Sequence, residues 1–234
     1  MSKPRKDSAV SPVVGVLLML VVTIIIAAVV SGFAGGLAGG AKKAPDASFD
    51  VKISNSGIWG GSQFQINVLG VSEPISTKDL KIITSWSKNG ISNGATIVPW
   101  AGDENTNVHY KTTGFVAGDG YYQAPLGYGA GVEDWVSSGT FKQDQFFGNY
   151  TITSGTSMKS GAYGYTSAYG GYGMTNRYEY ASGSTYVVGT SIDGMQAVLG
   201  ANWNILRPGD KVRVSIIYTP TGTALFDRDV QVAG

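Results

Sequence analysis

Ser11-Pro12-Val13-Val14-Gly15-Val16-Leu17-Leu18-Met19-Leu20-Val21-Val22-Thr23-Ile24-Ile25-Ile26-Ala27-Ala28-Val29-Val30 opens a stretch, residues 11–40, that contains no charged residue. Between Val13 and Val30 only Thr23 is polar. A continuous apolar run of about 18 residues is long enough to cross bilayer hydrocarbon as a helix. Lipid offers the backbone no hydrogen-bond partner, so a single span takes the form that bonds internally. Lys3, Arg5 and Lys6 precede the run, and such a basic flank holds the N-terminus on the cytoplasmic side. Everything after the span is therefore expected outside the cell. A cleaved secretory signal has an apolar core of roughly 7–15 residues with a small-residue cleavage site behind it. This core is longer, and Gly35-Gly36-Leu37-Ala38-Gly39-Gly40 reads as a hinge rather than a cleavage box.

The junction ahead of the span is Lys6-Asp7-Ser8-Ala9-Val10-Ser11-Pro12-Val13-Val14-Gly15-Val16. It resembles the N-terminus of archaeal type IV pilins: a short basic leader, a small residue, then Val-Ser-Pro-Val-(Val/Ile)-Gly-Val before an apolar helix. The resemblance implies that a prepilin peptidase cuts on the cytoplasmic side, between Ala9 and Val10, so that Val10 becomes the mature N-terminus. The Ser-Pro pair sets this junction apart from archaellins. Two exterior segments, Pro74–Leu80 and Pro208–Asp227, resemble segments of pilin-like proteins as well.

The residues of the junction make physical sense. Pro12 has a helix-compatible φ and no N–H, which suits a first turn whose donors are unpaired anyway. Ser11 is placed to cap that turn. Gly15 lets another backbone come close, as small residues do where helices meet in lipid. With its basic leader removed, a helix apolar all round needs burial on every side. A bundle of identical helices supplies it.

The chain has 234 residues and no cysteine, which excludes disulfides and thiolate metal sites. Removing Lys3, Arg5, Lys6 and Asp7 from 17 basic and 16 acidic residues leaves 14 and 15. That balance excludes the strongly basic surface expected of a nucleic-acid-binding protein. Charged residues make up 14% of the chain, and glycine (34) and tyrosine (13) are abundant. So weakly charged an exterior suits a subunit that packs against copies of itself.

Beyond the span the period becomes two. Phe49-Asp50-Val51-Lys52-Ile53 and Gln63-Phe64-Gln65-Ile66-Asn67-Val68 alternate, with a turn at Asn55-Ser56-Gly57. Leu80–Trp86 reads as a buried strand, Asn89-Gly90 and Asn93-Gly94 as tight turns, and Thr96–Trp100 as an edge strand ended by its proline. Lys211–Tyr218 alternates, Pro220-Thr221-Gly222 turns, and Leu225–Val232 returns. Residues 101–200 have weaker periodicity and read as a Gly/Tyr-rich insertion, with short strands expected at Arg177–Tyr180 and Thr185–Val188. Lys42 and Lys43 are expected at the C-terminal end of the helix, where cations are favoured.

The expected fold is therefore α+β: one long hydrophobic N-terminal helix, then a mostly antiparallel β-sandwich or barrel-like domain. The expected layout is a leader at 1–9, the helix at 10–40, a linker at 41–48 and an extracellular domain at 49–234.

Little in the chain invites catalysis. His109 is the only histidine, which leaves a zinc centre or a Ser-His hydrolase without parts. Asp103-Glu104 and Glu133-Asp134 are loop carboxylate pairs without EF-hand spacing, read as solvated. No cofactor and no metal is expected, and the chain is read as a non-enzyme. Asn149-Tyr150-Thr151 is the single Asn-X-Ser/Thr triplet and a candidate N-glycosylation site. Tyr163, Tyr165, Tyr169 and Tyr172 lie in the Gly/Tyr segment and are candidates for adhesion to surface glycans or for subunit contacts, since tyrosine joins an apolar face to a hydroxyl. The reading is a structural subunit of an archaeal pilus, with itself, the prepilin peptidase, the assembly machinery and, before assembly, the membrane as partners. A membrane-anchored carbohydrate- or solute-binding protein is the alternative. An extracellular hydrolase, requiring two converging carboxylates, is a weaker one.

Overall fold

In a computed structural model the described residues are 12–38, 43–57, 61–102, 106–112, 118–132, 142–162, 174–176, 179–180 and 192–234. The chain divides into two units, Met1–Lys43 and Ala44–Gly234. In the first, the uncharged stretch forms one 27-residue helix, α1 (Pro12–Ala38). At 1.5 Å per residue that is about 40 Å.

The second unit is built on strands. β1 (Ala47–Asn55) and β2 (Ser62–Val71) are the two alternating segments expected from sequence, paired antiparallel from Ala47 with Val71 to Asn55 with Ser62. β3 (Ile75–Ser76) and a 3-10 turn over Thr77–Asp79 carry the chain into β4 (Leu80–Lys88). The Asn89-Gly90 turn, both residues at positive φ, then returns it along β5 (Ile91–Ile97). Asn93-Gly94 is not the turn its sequence suggests, because it lies inside β5. Glycine is needed there for a different reason: a Cβ would overlap the Thr84 carbonyl oxygen.

The region 101–200 contributes β6 (Val108–Thr112), β7 (Gly118–Tyr122), β8 (Leu126–Gly129), β9 (Thr151–Ile152), β10 (Thr156–Gly161), β11 (Met174–Asn176), β12 (Glu179–Tyr180) and a six-residue helix, α2 (Gly194–Leu199). Of the two strands expected late in this region, the first overlaps β12 and Thr185–Val188 lies outside the described residues. β13 (Lys211–Tyr218) and β14 (Thr223–Ala233) close the chain as a hairpin about the expected Pro220–Gly222 turn.

The principal sheet has eight strands in the order β5-β4-β13-β14-β1-β2-β10-β8. Every pairing in it is antiparallel except β1 with β14. Alternation sends Phe49, Val51, Ile53, Phe64, Ile66, Val68, Leu80, Ile82, Val212, Val214 and Ile216 to one face, where they form the core. α2 packs against β5 and β4 near one flank and against β2 and β10 near the other. A helix of six residues is only about 9 Å long. It reaches both flanks because the sheet curls around it, which gives the barrel-like domain expected from sequence.

Side chains of β4 secure that helix. The Thr84 hydroxyl donates to the Val198 carbonyl (2.5 Å) and the Trp86 indole to the Leu199 carbonyl (2.7 Å). These are orphan acceptors of a last helical turn. The Thr84 oxygen also accepts from the Ala95 amide (3.0 Å), tying β5 to the same point. At the other end Asp193 caps α2, accepting from the Gln196 amide (2.6 Å) and the Trp203 indole (3.2 Å). Burial raises the Asp193 pKa to about 7, against the lowering effect of those bonds.

Candidate assembly surface

α1 is the largest uncovered apolar surface among the described residues. Every side chain from Val14 to Ser31 is exposed, and none is charged. Thr23, the polar exception, turns its hydroxyl back to the Leu20 carbonyl (2.9 Å) and so satisfies itself within the helix. Val14–Ser31 is long and apolar enough to cross a membrane. No stripe separates a wet side from a dry one, so the whole circumference calls for an apolar surround.

Pro12 is the first residue of α1, where its missing N–H costs nothing. Apart from the backbone of its own helix, no atom lies within 4 Å of the position a Cβ would take at Gly15. The chain's own packing therefore does not demand glycine there, whereas a close approach by another helix would. The last turn of α1 carries no basic residue. Lys42 lies outside the described residues, and Lys43 is in neither helix nor strand. Ala9, Val10 and Ser11 lie outside the described residues, as do Tyr163, Tyr165, Tyr169 and Tyr172.

The exterior candidates are dispersed. Asn149 is half-buried, and its amide donates to the Gln143 carbonyl (3.1 Å) and to Asp144 Oδ1 (3.3 Å). The next residue, Tyr150, is buried with its hydroxyl on the Pro125 carbonyl (3.0 Å), and burial pushes its pKa well up. Thr151 begins β9, paired with β3. His109 sits on β6 opposite Tyr121. The carboxylate pairs Asp103-Glu104 and Glu133-Asp134 lie outside the described residues, among which no three His, Cys, Asp or Glu side chains gather into a metal-holding group.

On the outer face, β13 and β14 carry an ion-paired patch. Arg213 reaches Asp227 (2.6 Å) and Asp229 (3.5 Å), and Ser215 donates to Asp227 (2.6 Å). Those bonds, chiefly that to Arg213, hold the Asp227 pKa below its ordinary value. On β1, Asp50 is likewise lowered by its bond to Lys52.

Residues 8–49 match the family described as archaeal type IV pilin, N-terminal. The segment that contains α1 is similar to the N-terminal segment of archaeal type IV pilins. No curated relative matches the chain. The matched segment contains all of α1 and the first residues of β1, so the similarity resides in the helix and its entry into the domain. Sequence reasoning missed two features of the second unit. Asp193-Gly194-Met195-Gln196 carries an N-cap residue followed three positions later by Gln, a helix-start signal. Arg228, between two aspartates on β14, gives no sign of which face of the sheet it occupies.

Proposed function

We propose that the chain is a subunit of an extracellular type IV pilus that serves in surface adhesion. It inserts in the membrane with its N-terminus cytoplasmic and is cut by prepilin peptidase between Ala9 and Val10. The assembly machinery then moves it into a filament. α1 exchanges lipid for neighbouring copies of itself, held by dispersion and close packing where no hydrophobic gain separates the two environments. The β domain faces outward. Tyr163, Tyr165, Tyr169 and Tyr172 supply adhesive or subunit contacts, and Asn149 is the site for an attached glycan. Glycosylation there would take one of the two amide hydrogens that now bind Gln143 and Asp144.

The observation that carries this reading is a helix apolar around its whole circumference directly behind a pilin-type junction. The test is N-terminal sequencing of this protein in material sheared from cells, with electron microscopy of the same fraction. Filaments whose subunit begins at Val10 are expected. Protein retained in the membrane with its leader intact, and no filaments, would establish the anchored binding protein instead.

A further inference from the structure

Each residue of Asn149-Tyr150-Thr151 is bound into the folded domain. Asn149 donates from its backbone amide to the Phe146 carbonyl (2.8 Å) and from its side chain to Gln143 and Asp144. Tyr150 is 4% exposed. Its carbonyl accepts from the amide (2.9 Å) and the hydroxyl (2.6 Å) of Thr77, and its own hydroxyl donates to Pro125. Its ring lies against Gly127, where an added Cβ would come within 2.8 Å of it. Thr151 pairs with Ser76 in the ladder of β3 and β9.

Glycan transfer asks for a different arrangement. The enzyme sets the asparagine nitrogen against a sugar while it reads the hydroxyl two residues on. Asn149 Nδ2 forms a bond to the anomeric carbon of a lipid-linked oligosaccharide, and that carbon's bond to the lipid phosphate breaks. The phosphate leaves with the electron pair of the broken bond and takes up the amide proton. To enter such an enzyme from the folded domain, the triplet would first have to leave Thr77, Ser76 and Gln143 and draw Tyr150 out of the core. That is a cooperative opening rather than a loop motion.

Topology dictates when these restraints can form. Without the β13–β14 hairpin the principal sheet falls into two pieces, β5-β4 and β1-β2-β10-β8. Thr77 leads directly into the first piece and Pro125 into the second. The triplet is therefore held between two pieces that are joined only by a hairpin following them in the sequence. At 5–20 residues per second, on the order of ten seconds separate synthesis of Asn149 from that of β13.

Resting on the reading of Asn149 as a glycan site, we propose that a membrane oligosaccharyltransferase glycosylates it before the β13–β14 hairpin closes the sheet, and that the folded domain is no longer a substrate. Glycan addition then precedes folding and marks each copy before assembly.

The test compares two full-length chains made in cells that lack the transferase and purified in detergent. One is the folded wild type. The other is the double variant Val214→Asp, Ile216→Asp, which sets two charges at fully buried positions of β13 and keeps the sheet from closing. Loss of the cooperative urea transition checks that it is unfolded. Each chain is incubated with membranes of the cells that naturally make the protein, which supply the transferase and its lipid-linked oligosaccharide, and its intact mass is followed. The unfolded variant should gain the glycan at least tenfold faster than the wild type. Thr151→Val should abolish the gain in both, since the chain has no second Asn-X-Ser/Thr triplet. Equal rates, or addition to the folded chain alone, would overturn the proposal while leaving Asn149 as the modified residue. No gain in either chain would remove Asn149 as a glycan site and the proposal with it, so the two failures are told apart.

Discussion

Asp193 is a buried acid held by the Gln196 and Met195 backbone amides and one indole. Its pKa rises from 3.8 to about 7 on folding. Between those values the native state binds a proton that the unfolded state has released, so stability falls as pH rises from about 4 to about 7 and is level beyond. The shift corresponds to a decline on the order of 4 kcal/mol. Asp193→Asn, which keeps a capping oxygen, should flatten that slope. Urea midpoints measured from pH 4 to 8 check this; an unchanged slope in the variant would assign the pH dependence elsewhere. A neighbouring pair of residues gives a second prediction. Trp86→Phe leaves the Leu199 carbonyl without its donor and should cost about 1–3 kcal/mol. Thr84→Val should cost more, because the Val198 carbonyl and the Ala95 amide lose one shared partner. A smaller loss for Thr84→Val than for Trp86→Phe would show that the hydroxyl does not join β5 to α2. On the surface, Asp227→Asn breaks an exposed cross-strand pair and should leave the unfolding midpoint within measurement error.

The elements differ in how far sequence discloses them, and the differences have physical causes. α1 is legible because an uncharged run of its length has one stable form in lipid. β1, β2, β4 and β13 are legible because large apolar and polar residues alternate strictly along them. α2 is not: five of its six residues are buried, and a helix buried nearly all round, under two turns long, shows no amphipathic period. β8 and β10 are obscured by composition, since Leu126-Gly127-Tyr128-Gly129 and Thr156-Ser157-Met158-Lys159-Ser160-Gly161 bury Gly, Thr and Ser where a strand signal needs large apolar groups. Gly127 is small because the Tyr150 ring occupies the space a side chain would take. The apolar helix was thus readable, whereas the exposed place of Arg228 on the core-facing side of β14 depends on a register that only the folded sheet supplies. For α1 itself, Leu20→Asp should abolish filaments, because it would bury an unpaired charge among apolar neighbours. Normal filaments on electron micrographs of that variant would refute burial of this part of α1.

For the whole molecule, the core cluster draws all its residues from the second unit, from Ala47 through Val232. A chain beginning at Ala44 should therefore fold alone and unfold in one cooperative transition. A broad or multi-step denaturant curve would mean that the domain relies on α1. The crossing connections explain why topology was harder to read than strands. The chain leaves β2 for β4 across β1 and the positions later filled by β14 and β13, and it returns to β2's other side with β10. Such order is set by which faces can be buried together, a non-local matter that alternation does not encode.

β14 runs parallel to β1 and beside it. The chain therefore leaves the domain at the end opposite the one where it enters. Gly234 lies there against Pro208, on the far side of the fold from the first residue of β1. A short peptide fused after Gly234 would project from that distal end, clear of the entry from the helix. Gly234 is exposed, so the parallel junction makes that position suited to displaying a peptide on the folded domain.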